Sequence, residues 1–127
     1  MLKTVKLSKL EYQLMEILWK RGPSSVREIQ QAISVERRPA YTTVQTTIFR
    51  MEGKGAINRI GQAGNAHLFE ARITREKAQR ALIEDLLAVF GGDSQPVMAH
   101  LVNSGRLSLE DVKEAEQILR LKKKGSK

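Results

Sequence analysis

Residues 41–52, YTTVQTTIFRME, set four threonines, a glutamine and an arginine among apolar residues at helical spacing. Val44, Ile48 and Met51 stand at i, i+4 and i+7, within an arc of about 60° on a 3.6-residue wheel. Thr42, Thr43, Thr46 and Arg50 fall on the opposite side, with Gln45 and Thr47 on the flanks. Each threonine costs a helix roughly a few tenths of a kcal/mol relative to alanine, so helix propensity does not explain the choice. A helix lying in the major groove of DNA does need such side chains, because long ones would hold it away from the bases. Threonine offers a hydroxyl to a base or phosphate and a methyl to thymine. Gln45 can bond adenine through two hydrogen bonds, and Arg50 can reach guanine or phosphate. The segment therefore predicts a groove-reading helix.

The charge distribution agrees. Of a net +8, residues 1–80 carry all of it, with 15 basic and 7 acidic side chains, while residues 81–127 hold seven of each. The first part is the one suited to a polyanion. No cysteine is present, which excludes disulfide scaffolds, thiolate metal sites and cysteine nucleophiles. Charges interrupt every apolar run near the N-terminus, and no stretch reaches the roughly 18 apolar residues of a membrane span. A cytoplasmic protein without direct membrane insertion is expected.

The elements that must position these residues are well punctuated. Ser8 with Glu11 and Ser25 with Glu28 are capping boxes, opening helices that carry Leu10, Leu14, Ile17 and Leu18, then Val26, Ile29 and Ile33. Gly22-Pro23 separates them, and Arg37, Arg38 and Pro39 break the pattern before the third helix, which ends near Gly53 to Gly55. Residues 56–73 read as two short strands around a tip containing Gly61 and Gly64, with the register open. Thr74 then caps a helix with Ala78, Ala81, Leu82, Leu86 and Val89, stopped by Gly91-Gly92. A short helix starts at Ser94, and Ser108 with Asp111 caps a last one bearing Leu109, Val112, Ala115, Ile118 and Leu119, followed by a solvated basic tail. The fold class is thus mainly α with a small β-hairpin wing. A winged helix-turn-helix domain over residues 1–74 precedes a three-helix region over 75–127. That second region is too small and too apolar on its stripes to bury everything alone, and pairing with a second copy or packing on the first region would solve this.

YTTVQTTIFRMEGKGAINR resembles the Y-T-T-V-x-T-x-L-x-R-L-x-x-K-G pattern of the penicillinase-repressor (BlaI/MecI/CopY) family. LSKLEYQLMEILWKRGPSSVREI is similar to that family's first two helices, and GGDSQPVMAHLVNSGRLSLEDVKEAEQIL to its C-terminal dimerisation region, so the resemblance covers roughly residues 6–121. It implies a homodimeric repressor on a palindromic operator. Thr43, Thr46 and Arg50 match the operator-contacting helix, Tyr41 matches the aromatic at its start, and the later stripes (Leu82, Leu86, Val89, Val112, Ile118 and Leu119) would pair the subunits. It also implies relief through a membrane sensor metalloprotease pathway, with a cut near VMAHLVNSG. Two positions depart from the pattern. Phe49 stands where a polar or basic residue is usual, removing one phosphate contact, and Gly53 replaces Glu or Lys and loosens the last turn. The copper-responsive branch uses paired cysteines, so copper sensing is disfavoured here.

Arg38, with Arg37, precedes the reading helix and is a candidate phosphate contact, and Arg59 in the first wing strand is another. Gln62 and Asn65 read as turn residues, Lys3, Lys6 and Lys9 as solvated, and Trp19 as core. His67 and His100 lack partners at metal-ligand spacing, and Asp85, Asp93 and Asp111 read as surface or cap residues. No catalytic constellation stands out, so neither an enzyme nor a metal or cofactor is expected. The alternative is a winged-helix protein-interaction module without specific DNA binding.

Overall fold

The computed structural model describes residues 6–125, and Lys3 lies outside them. The order is α1 (Lys9–Arg21), α2 (Val26–Gln31), a 3-10 turn (Val35–Arg37), α3 (Tyr41–Lys54), β1 (Ile57–Ala63), β2 (Ala66–Ala71), α4 (Arg75–Val89), α5 (Gln95–Asn103) and α6 (Leu109–Gly125). No helix among the described residues is long and apolar enough to cross a membrane.

Both early capping boxes form. The Ser8 and Ser25 hydroxyls accept from the amides of Glu11 and Glu28 at 3.2 Å, and each glutamate carboxylate accepts the serine amide in return at 2.8 Å. Two of the otherwise unpartnered first-turn amides are thereby satisfied in each helix. Gly55 ends α3 with φ at 85°, a left-handed conformation in which its own amide and that of Ala56 donate back to Glu52 and Met51. Despite Gly53, α3 stays helical through Lys54.

The chain forms two compact units, residues 1–85 and 86–127. In the first, Leu14, Met15 and Leu18 of α1, Ile29 of α2, and Val44, Ile48 and Met51 of α3 bury together with Ile57 and Phe69 of the hairpin. The two strands pair antiparallel across a two-residue turn at Gly64 and Asn65. Gly61 is not at the tip as expected but inside β1, where the register slips between Arg59 and Gly61. Ser24, just after α1, pairs with Phe69 through two backbone hydrogen bonds of 2.9 and 3.0 Å, which ties the hairpin to the helices as a wing.

The first unit runs past residue 74, to Asp85, because the start of α4 packs with it. Thr74 caps α4 through the Lys77 amide, Ala78 is buried, and Arg75 pairs with Glu16 at 3.0 Å while lying over the Trp19 ring. Trp19 itself is half-buried at the edge of the core rather than inside it, and its indole N–H donates to the Ile73 carbonyl at 2.9 Å.

In the second unit, α5 starts after Ser94, but the Asp93 carboxylate, not the serine hydroxyl, accepts the Gln95 amide. Ser108 and Asp111 form the expected reciprocal cap of α6. The basic tail is exposed, as expected, and is helical up to Gly125. Lys122, Lys123 and Lys124 lie in the last turn of α6, and no residue of that helix is buried.

Candidate nucleic-acid interface

The wheel drawn from the sequence is realised on α3. Val44, Ile48 and Met51 are fully buried, while Thr42, Thr43, Thr46 and Arg50 are exposed and Tyr41 and Gln45 are half-exposed. The fourth threonine departs from its expected flank position. Thr47 is buried, and its hydroxyl donates to the Thr43 carbonyl one turn back at 2.7 Å, so it satisfies itself within the helix. Three threonines, then, face outward. The N-cap of α3 is Ala40, whose side chain accepts nothing, leaving first-turn amides open to an anionic group.

The candidate cations differ in how they are held. Arg50 projects from the exposed arc with a side chain 57% accessible, and its Nη1 lies 4.0 Å from a carboxylate oxygen of Glu11. Arg38 is occupied by structure: Nε donates to the Ile33 carbonyl at 3.0 Å and Nη2 to the Gln31 carbonyl at 2.9 Å, closing the end of α2. Arg59 is packed against the Phe49 and Phe69 rings, 5.5 and 5.2 Å from their centroids, and its Nη2 pairs with Glu52 at 3.0 Å. Phe49, the departure from the family pattern, therefore anchors the wing's arginine to α3. A phosphate reached by Arg59 would compete with Glu52.

Two residues of this surface had no distinguishing signal in the sequence. Arg27, at the start of α2, lies 5.1 Å over the ring of Tyr41, bracing the start of α3 from the neighbouring helix. Glu11 reads in the sequence only as a capping residue, yet it is completely buried beneath α3. Its Oε1 accepts from the Ser8 amide and, at 2.6 Å, from Lys54 Nζ, which also donates to the Lys6 carbonyl. Burial works to raise the Glu11 pKa, but the Lys54 ammonium and the Ser8 donors outweigh it and hold the carboxyl below its ordinary value. Contact between residues 43 positions apart has no local pattern by which it could be read.

Elsewhere, His67 sits at the wing within 3.4 Å of Gln62, and His100 is exposed on α5. Among the described residues no group of three or more His, Cys, Asp or Glu side chains could hold a metal ion. The six residues assigned to subunit pairing, Leu82, Leu86, Val89, Val112, Ile118 and Leu119, are all exposed, Val89 to 80%.

The penicillinase repressor family matches residues 7–121. Among its relatives, the transcriptional regulator BlaI of Mycobacterium tuberculosis is 33% identical over 105 residues, covering 80% of this chain and 75% of that protein. The penicillinase repressor of Staphylococcus aureus is 24% identical over 118 residues, 92% of this chain and 93% of that one. The methicillin resistance regulatory protein MecI of Mammaliicoccus sciuri is 27% identical over 125 residues, 94% and 98% of the two chains. The solution structure of the DNA binding domain of the repressor BlaI is similar with a TM-score of 0.52 and 25% identity, covering 61% of this chain and 93% of that one. With the family matched over nearly the whole length and a relative at one-third identity, this chain belongs to the penicillinase repressor family.

Proposed function

We propose that this protein is a cytoplasmic DNA-binding transcriptional repressor that acts as a homodimer on an inverted-repeat operator. The observation that carries the reading is the division of α3, with every apolar residue of its stripe buried and a face of short-chained Thr42, Thr43 and Thr46, with Arg50 beside them, left open. Such a face fits a major groove, where its hydroxyls meet base edges or phosphates and Arg50 reaches furthest. Tyr41 and Gln45 extend it at the near end, and Arg27 adds a positive charge beside Tyr41. Arg38 acts by fixing the turn into α3 through its hydrogen bonds to the carbonyls of Ile33 and Gln31, and Arg59 would serve a phosphate in competition with Glu52. The relatives are named as regulators and repressors, which supports regulation rather than catalysis.

Pairing of two copies through α4 to α6 is supported by the exposed stripes of those helices, and two reading heads on one duplex gain avidity that neither has alone. Relief through a membrane sensor metalloprotease pathway, with a cut near residues 97–105, would act by separating those heads. That step rests on the family resemblance.

The test is fluorescence-anisotropy binding to the DNA upstream of the protein's own gene, as a salt series beside a scrambled duplex and Arg50→Ala. Sequence-selective binding with a steep salt slope is expected, weakened by about 1–3 kcal/mol in the variant. Weak binding indifferent to sequence and to Arg50 would favour a protein-interaction module instead.

A further inference from the structure

The buried carboxylate of Glu11 is asymmetric. Oε1 has two donors, the Ser8 amide at 2.8 Å and Lys54 Nζ at 2.6 Å. Oε2 is buried with no hydrogen-bond partner, and it is the sole such side-chain atom found among the described residues. An unmet charged acceptor in the interior is costly, and natural structures seldom keep one without a use. The cation facing this oxygen is Arg50, whose Nη1 is 4.0 Å away, outside hydrogen-bond range but within one side-chain adjustment of it. Arg50 has five N–H donors, and bidentate contact with a guanine uses two.

We propose that Glu11 is a positioning residue for DNA reading: its free Oε2 closes on the Arg50 guanidinium in the operator complex and fixes the plane in which the remaining donors meet a base. The inference rests on the reading of α3 as the operator-contacting helix. Glu11 touches no DNA. It sits beneath α3, anchored to α1 by its cap and to the end of α3 by Lys54, so its free oxygen has a set position before DNA arrives. A guanidinium held on one edge by a carboxylate loses little further freedom on meeting a base edge. An arginine without that support would still attract phosphate but would discriminate among bases less well.

Glu11→Gln tests this role; because it also removes the charge that Lys54 pairs with, the readout is the ratio of specific to scrambled binding and not affinity alone. The two donors that fix Oε1 select the amide rotamer with the carbonyl oxygen in that place, which turns the –NH2 group toward Arg50. The cap survives while the acceptor becomes a donor. Anisotropy titrations on specific and scrambled duplexes, with wild type, Glu11→Gln, Arg50→Ala and the double variant, form a double-mutant cycle. Expected is a loss of about tenfold in the specific-to-scrambled ratio for Glu11→Gln, with binding to the scrambled duplex no weaker and no further loss in the Arg50→Ala background. An equal loss on both duplexes, an undiminished loss in the Arg50→Ala background, or no loss at all would overturn the proposal. If Arg50→Ala itself binds the operator like wild type, the assignment of Arg50 fails first, and that outcome is read separately from Glu11.

Should Glu11→Gln not fold, 15N NMR of the Arg50 guanidinium in the wild-type complex decides. Separate Nη signals, reporting a guanidinium gripped on two edges, are expected with operator and not with the scrambled duplex. Averaged Nη signals with operator would overturn the proposal.

Discussion

The two compact units use the same sequence device to opposite ends. In residues 1–85, apolar side chains at three- and four-residue spacing leave Leu14, Met15, Ile29, Val44, Ile48 and Met51 with no exposed surface. In residues 86–127 the same spacing along α6 leaves Val112, Ile118 and Leu119 exposed, and the helix buries nothing. Periodicity alone states that a helix has an apolar face. Whether that face is met by the same chain depends on how many elements surround it: three helices, most of a fourth and a hairpin in one unit, two helices and the end of that fourth in the other. The comparison teaches that the first unit specifies its own fold, whereas the second leaves its apolar face unmet, as the proposed pairing of two copies requires.

The largest expected effect breaks that distinction at its weakest point. Ile118→Asp places a charge on the α6 stripe, and in a twofold pair each substitution is felt twice. At about 1.5–3 kcal/mol for each buried isoleucine, the pair would lose about 3–6 kcal/mol. Sedimentation should then show the monomer mass at concentrations where wild type is dimeric. An unchanged dimer would place the interface on another face. The contrasting substitution, Ile48→Ala, should cost about 2–5 kcal/mol in the first unit and leave the mass unchanged. Trp19, the single tryptophan and a member of that unit, reports its unfolding by fluorescence.

These two substitutions also mark how far the sequence could be read. Ile48 was assignable because its neighbours at i−4 and i+3 share a face and the opposite face is polar; one helix carries the whole inference. The capping boxes at Ser8, Ser25 and Ser108 are equally local and all form. What the sequence leaves out is mostly contact between residues of different elements. Arg59, a candidate phosphate contact, is enclosed by Phe49, Phe69 and Glu52, and Arg38, another, holds the carbonyls of Gln31 and Ile33. Gly61 looked like a turn glycine because a bulge and a tip share the same residue preferences. Glu11 is the deepest case, since a capping glutamate and a buried counter-ion of α3 are the same residue, and only the first role has a sequence pattern.

A smaller effect separates the units by acid. The Glu11 pKa lies below its ordinary value of 4.5, held down chiefly by Lys54 against the opposing pull of burial. A carboxyl depressed in the folded state binds fewer protons than in the unfolded chain. Its contribution is therefore complete above about pH 4.5 and fades as pH falls through the depressed value. The stability of the first unit, followed through Trp19, should fall with acid in that window, and Glu11→Gln should flatten the slope. Glu28 is also lowered, by the Ser25 amide and hydroxyl and by Arg21, so some acid dependence should survive the substitution. A slope unchanged by Glu11→Gln would mean that other carboxyls carry it all.

The finest comparison sets one capping box against another. Ser8 and Ser108 make the same reciprocal pair of hydrogen bonds, at 3.2 and 2.8 Å in the first and 3.1 and 2.9 Å in the second. Their settings differ, because Glu11 is buried and tied to Lys54 whereas Asp111 is exposed. Ser8→Ala should cost about 1 kcal/mol and shift the unfolding of the whole first unit, since the start of α1 is continuous with its core. Ser108→Ala should leave that transition in place and fray only the first turn of α6. Hydrogen exchange would show this as faster exchange at the amides of residues 109–111 with the rest of the helix little changed. If Ser108→Ala instead lowers the protection of the whole of α6, that helix is cooperative from its first turn, and the cap is then part of what two copies present to each other.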